Sequence, residues 1–122
     1  MMNNLYEVES VRRTMNLYIE GTKTGDVEKL KKVFHSEAIM SGNLMDKQMV
    51  CGTPQAFYDD IDGKIAPPEY DAQIVNIDIT GEIASTTLVE TGLLGINFVN
   101  YYHLQRIDGQ WKIVSKLFTS IS

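Results

Sequence analysis

His35, Glu90 and Cys51 are the side chains whose type and setting suit proton transfer or nucleophilic attack. His35 follows Phe34 near the expected end of a helix. There it serves either as a general base or as a cap at the negative end of the helix dipole. Glu90 shares a strand face with Ala84, Thr86 and Leu88. If that face is the inner one, Glu90 is a buried carboxylate able to move a proton; if it sits at the strand end, it is solvated. Cys51 follows Val50 in a strand-like run with no base beside it, so it reads as a buried structural thiol. His35 and His103 lie far apart and there is one cysteine, which gives no metal-ligand spacing. Neither a metal nor a cofactor is expected. Asp59, Asp60 and Asp62 form an acidic helix end, read as a solvated face. No phosphate-binding glycine loop, nucleophile elbow or dinucleotide fingerprint is present.

A second group of polar residues lies in the closing stretch FVNYYHLQRIDGQWKIVSKLFTS. Asp108-Gly109 is a two-residue turn signal between two alternating runs. Counting outward from it, Leu104 faces Ile113, Tyr102 faces Ser115, Asn100 faces Leu117 and Phe98 faces Thr119. This side is the expected core face, yet it carries Asn100, Tyr102 and Ser115. A buried amide without partners costs about 1–3 kcal/mol, so Asn100 implies a network, a water, a ligand, or a place on the solvated rim. The other side carries Val99, Tyr101, His103, Val114, Lys116 and Phe118, an apolar strip with a polar border that suits a dimer interface. Tyr18 and Tyr58 either point a hydroxyl into a cavity or pack as core. Tyr18, His35, Tyr58, Asn100, Tyr102 and Ser115 are the expected ligand contacts.

The elements that would position these residues follow from periodicity. Leu5, Val8, Met15 and Ile19 recur at helical spacing from about Asn3 to Glu20, with Gly21 as a stop. Asp26 suits the N-cap of a short second helix ending near His35-Ser36. Ala38 to Met40 and Lys47 to Cys51 read as short strands with a turn over Gly42 to Asp46. Thr53 suits an N-cap and Pro54 the first position of a third helix carrying Phe57, Tyr58 and Ile61. From Tyr70 the period becomes two, with strands over Tyr70–Thr80, Glu82–Thr91, Ile96–Ile107 and Gln110–Thr119. Helices first and long antiparallel strands after them predict an α+β domain with helices against one face of a curved sheet.

The chain has 122 residues, read as a single domain over 1–122. Sixteen Asp and Glu against eleven Lys and Arg give a net charge of −5, which disfavours nonspecific nucleic-acid binding. No window approaches the about 20 apolar residues of a membrane helix, and the N-terminus lacks a basic segment followed by an apolar core. A cytoplasmic location is expected.

Three stretches carry a resemblance: YIEGTKTGDVEKLKKVFHSEA, GEIASTTLVE and YYHLQRIDGQWKIVSKLFT. Together they resemble the nuclear transport factor 2-like (NTF2-like) superfamily, in particular small bacterial domains labelled "putative lumazine-binding". The resemblance implies a cone-shaped α+β fold with N-terminal helices packed in a strongly curved antiparallel sheet, a pocket between them, and homodimers through the outer sheet face. Relatives include ketosteroid isomerase, scytalone dehydratase and polyketide cyclases, together with non-enzymatic modules. Such relatives often carry an Asp where this chain has Asn100. An Asn donates and accepts hydrogen bonds but does not exchange a proton as an Asp does, so this position suits orienting a ligand.

The expected function is a homodimeric domain that binds a small apolar or aromatic molecule. The alternatives are an isomerase, dehydratase or cyclase-type enzyme using His35 or Glu90, and a non-enzymatic dimerisation module.

Overall fold

In the computed structural model, which describes residues 4–122, Val11, Met15, Tyr18 and Thr22 form one buried helical face. They belong to α1 (Asn4–Thr24). Leu5, expected on that face, is 74% exposed, and the expected start at Asn3 lies outside the described residues. The helix runs past Gly21. A Cβ at Gly21 would meet the Leu30 side chain at 2.9 Å, so this glycine lets the next helix approach and does not end the first. The stop is Gly25, with φ of 68°, and the Asp26 N–H closes the helix end by donating to the Gly21 carbonyl at 2.9 Å.

Asp26 then caps α2 (Val27–Val33), accepting from the Lys29 N–H at 3.1 Å. The helix buries Leu30 and Val33 and passes directly into β1 (Phe34–Leu44). His35 therefore sits in a strand and not at a helix end. The short strand expected over Ala38–Met40 is part of this longer one, which forms a hairpin with β2 (Lys47–Gly52). The next helix, α3 (Gln55–Ile61), buries Phe57, Tyr58 and Ile61 as expected. Pro54 occupies its N-cap in place of Thr53, whose hydroxyl accepts from the Gln55 N–H at 3.2 Å.

The second half is β3 (Asp71–Thr80), β4 (Ile83–Leu93), β5 (Ile96–Ile107) and β6 (Gln110–Ile121). The six strands form one sheet in the order β2-β1-β6-β5-β4-β3, with β1 parallel to β6 and every other pair antiparallel. Register shifts interrupt each of the five pairings, and such irregularities bend a sheet. The bent sheet holds the helices on its inner side, with α1 against β3 and β6 and α2 against β1 and β6. At the turn end, Glu7 ties α1 to the sheet. One carboxylate oxygen accepts from Arg106 at 2.6 Å and the other from the Trp111 indole at 3.1 Å, while Arg106 also grips Glu82.

The β5–β6 register decides what faces inward. Asp108 and Gly109 have φ of 52° and 80°, as a type I′ turn requires. Ile107 opposes Gln110, Arg106 opposes Trp111, and Leu104 opposes Ile113, all as expected. The register then shifts between Leu104 and His103. His103 opposes Ser115, Tyr102 opposes Lys116, Asn100 opposes Phe118 and Phe98 opposes Ser120. Val114 is the extra residue of a β-bulge, and one extra residue turns over every side chain beyond it. Ser115 and Leu117 therefore face outward, correcting their expected inner placement. Lys116 and Phe118 face inward, correcting theirs at the outer strip. Both are buried, whereas Leu117 is 52% exposed.

Candidate functional site

The inner face of the sheet beyond the bulge does not fill with side chains. Between it, α3 and the β4–β5 connection lies a cavity of about 170 Å³. That is smaller than the roughly 300–1,000 Å³ of common ligand pockets, so it suits a compact molecule. Most of its wall is apolar, with Met40, Leu44, Phe57, Ile61, Phe98 and Phe118 prominent. Three buried polar side chains also line it: Glu90 from β4, Asn100 from β5 and Lys116 from β6. Asp60 and Lys64, both exposed, stand at its rim.

Strand alternation brings Glu90 and Asn100 together. Ala84, Thr86, Leu88 and Glu90 alternate inward along β4, and Asn100, Tyr102 and Leu104 do so on β5. The Asn100 amide nitrogen donates to the Leu88 carbonyl at 3.2 Å and to one Glu90 oxygen at 2.9 Å. A carbonyl only accepts, so the Leu88 contact fixes which way round the amide lies. The other Glu90 oxygen accepts from the Tyr70 hydroxyl at 2.7 Å. Burial first, and then the Glu90 charge, push the Tyr70 hydroxyl far above its ordinary value, so it remains a donor. Asn100 thus has the polar network that its burial demands, and that network presents a carboxylate to the cavity.

Lys116 is held differently. Its Nζ donates to the Tyr18 hydroxyl at 2.7 Å and lies 3.8 Å from the centroid of the Phe57 ring. The Tyr18 and Phe118 ring centroids are each 5.4 Å away. Contacts of this kind attract a cation to aromatic faces. No described carboxylate lies within ion-pair distance. Burial lowers the Lys116 amine to about 8, against the opposing pull of the Glu90 charge.

Tyr18 stands behind Lys116 as a support. Its ring stacks on Phe57 at 5.7 Å and meets Tyr102 edge-on at 5.1 Å. Burial raises both phenols well above their ordinary value, with the Glu90 charge adding to the effect. The Tyr102 hydroxyl is buried and has no hydrogen-bond partner among the described residues.

Of the expected contacts, Asn100 is on the cavity wall and Tyr18 touches it through Lys116. Tyr102 is buried beneath Tyr18. The Tyr58 ring packs against Phe34 and Phe57, burial pushes its hydroxyl up to about 12, and the residue borders a separate shallow hollow with Asp26 and Lys31. His35 is half-buried on β1, away from the cavity wall, and its Nδ1 accepts from the Glu37 N–H at 2.9 Å. Ser115 lies on the outer face. Cys51, expected to be buried, is exposed. Among the described residues, no group of three or more His, Cys, Asp or Glu is placed to hold a metal ion, and no helix is long and apolar enough to cross a membrane.

Lys116 and Phe118 are the cavity residues that sequence reasoning put on the wrong face. Tyr70 was read only as the start of a strand. Placing Lys116 correctly requires the position of the bulge, which the local sequence pattern does not mark.

Helices held within a curved six-stranded sheet, with a pocket between them, define an NTF2-like α+β protein. The chain belongs to the family described as "Putative lumazine-binding", whose model matches residues 6–119. An NTF2-like protein of unknown function from Shewanella baltica OS155 matches it with a TM-score of 0.90 and 27% identity, covering 100% of this chain and 99% of that one. A second NTF2-like protein of unknown function, from Methylobacillus flagellatus KT, gives 0.87 and 25%, covering 95% and 93%. Aldolase FrzH from Cladobotryum sp is 25% identical over 118 residues, covering 93% of this chain and 91% of that protein.

Proposed function

We propose that this protein is a small-molecule-binding domain whose ligand occupies the cavity beneath β4, β5 and β6. The observation that carries the reading is the convergence of Glu90, Asn100 and Lys116 on an otherwise apolar wall. Buried polar groups fix the orientation of a ligand, and apolar walls supply most of its affinity. The complementary ligand is compact, largely apolar or aromatic, and polar at one end. An oxygen at that end accepts from Lys116, and a donor there meets the Glu90 carboxylate. The family description supports a ligand-binding role, and lumazine is one compound to test.

Amide chemical-shift titration with small aromatic and alicyclic compounds, lumazine included, tests the reading. Shifts should centre on Asn100, Phe57 and Lys116 and vanish in Leu44→Trp, which fills the cavity. Absence of cavity shifts with every compound would favour a non-enzymatic dimerisation module.

A second reading is an enzyme, favoured by the similarity to Aldolase FrzH and by a carboxylate and an amine on one apolar wall. Glu90 is then the proton carrier, because a general base must lie within hydrogen-bond reach of the ligand. The place of His35 off the wall weighs against it in that role.

The outer sheet face supports a homodimer. Val99, Tyr101 and His103 of β5 lie there with Ser115 and Leu117 of β6, and Tyr101 is 57% exposed. Sedimentation should show a dimer that Tyr101→Glu weakens; a monomer at high concentration would remove this part of the reading.

A further inference from the structure

We propose that Lys116 is a carbonyl-capturing amine: its Nζ condenses with the aldehyde or ketone group of a compact ligand in the cavity to form an imine. This rests on the proposed ligand-binding role and narrows it to a chemical class.

Placement is the first argument. Lysines are almost never fully buried without a paired charge. Lys116 is 6% exposed and has no carboxylate within ion-pair distance among the described residues, yet it lines a cavity. A lysine serving only as core would sit more cheaply as methionine or leucine, because its charge must be desolvated. A lysine serving only as a counter-ion would lie against Glu90. Instead, Glu90 is committed to Asn100 and Tyr70.

Pre-organisation is the second. The Tyr18 bond at 2.7 Å and the Phe57 ring at 3.8 Å fix Nζ on the wall of an apolar chamber. Dry apolar surroundings favour the free amine over the ammonium, which is how buried lysines become nucleophiles. The titratable groups around it come from several elements, and of these the Glu90 charge opposes the effect of burial. Tyr18 faces it from α1, Glu90 from β4 and Tyr102 from β5, while Asp60 and Lys64 stand at the rim. With the amine lowered to about 8, about half of it is free at pH 8, against under about a hundredth of an ordinary lysine.

The step balances without an oxidant or reductant. The Nζ lone pair forms a bond to the carbonyl carbon, and the π pair moves to the oxygen, which takes a proton. The nitrogen gives up both of its protons as C=N forms, the new hydroxyl takes a second proton, and the C–O bond breaks to release water. Glu90 lies on the same wall but beyond ion-pair distance of Nζ, so in this proposal it exchanges those protons through one intervening water. One carbonyl compound and one amine give one imine and one water.

The test is reductive trapping on the full chain. The protein is incubated with benzaldehyde and cyanoborohydride between pH 6.5 and 9, and the benzylated lysines are located by peptide mass spectrometry. Lys116 should be labelled at least tenfold faster than any other lysine, with a rate that rises as pH passes about 8. Leu44→Trp should suppress that labelling and leave the surface lysines unchanged. Labelling of Lys116 no faster than surface lysines in the unaltered protein overturns the proposal. Benzyl alcohol, which has the same ring and no carbonyl, separates the two ideas. If it shifts cavity resonances while benzaldehyde fails to label Lys116, ligand binding stands and imine formation falls. If neither occurs, both fall.

Discussion

The Lys116 ammonium donates to the Tyr18 hydroxyl at 2.7 Å, joining residues 98 positions apart in the chain. This bond runs from the last strand to the first helix through the middle of the core. It places a charged group where an apolar one would pack at lower cost, and the consequences are measurable.

Lys116→Met should raise stability at pH 7. The folded amine lies at about 8, below its ordinary 10.5. Between those values the unfolded chain binds a proton that the folded chain does not, so stability rises with pH across that window, and the full penalty applies below about 8. A displacement of this size corresponds to about 3 kcal/mol, and losing the Tyr18 bond offsets about 1 kcal/mol of it. Urea denaturation should show the variant more stable by about 2 kcal/mol at pH 7, with the gap closing towards pH 10.5. Tyr18, Tyr70 and Tyr102 destabilise both proteins above their ordinary value of 10, so the difference between the two proteins is the quantity to follow. A variant less stable than the parent at pH 7 would contradict the assigned cost.

Asn100→Asp should destabilise the fold most strongly at neutral pH. The new carboxylate would lie beside the Glu90 oxygen that now accepts from the Asn100 amide at 2.9 Å, and the Leu88 carbonyl would lose its side-chain donor. Two like charges at that distance cannot both ionise without cost, and the lost amide hydrogen bond adds about 1 kcal/mol. A folded pair that keeps a shared proton binds more protons than the unfolded chain. Stability therefore falls as pH rises from the acid range. Thermal melts at pH 4.5 and pH 7.5 should show a larger deficit at the higher pH, and an equal deficit at both would remove the charge argument.

Gly42→Ala should deform the cavity. Gly42 opposes Phe118 across the parallel β1–β6 pair, and a Cβ there would run into the Phe118 carbonyl and ring. Over-packing of this kind costs about 1–3 kcal/mol. Gly52→Ala is the control, because its Cβ would meet only the Met40 carbonyl at 3.9 Å, an ordinary contact. Denaturation midpoints should separate the two variants clearly. The ligand-induced shifts at Phe57 and Asn100 should weaken in the first variant alone.

By itself, the sequence determined the order and kind of the elements. Alternation gave β5 its observed limits, Asp108-Gly109 its turn, and Asn100 and Tyr102 their inward direction. It also put Glu90 among inward residues if that face was the inner one, because a strand alternates along its own length whatever lies beside it. Tertiary structure decided what alternation does not encode. Helix α1 continues past Gly21 because Leu30 packs there, a contact absent from the helix considered alone. The bulge at Val114 arises where β6 must pair with β5 on one side and with parallel β1 on the other, around a bent sheet. A single extra residue there moves Lys116 from the outer strip to the cavity wall, and local pattern contains no mark of it because register is a relation between strands.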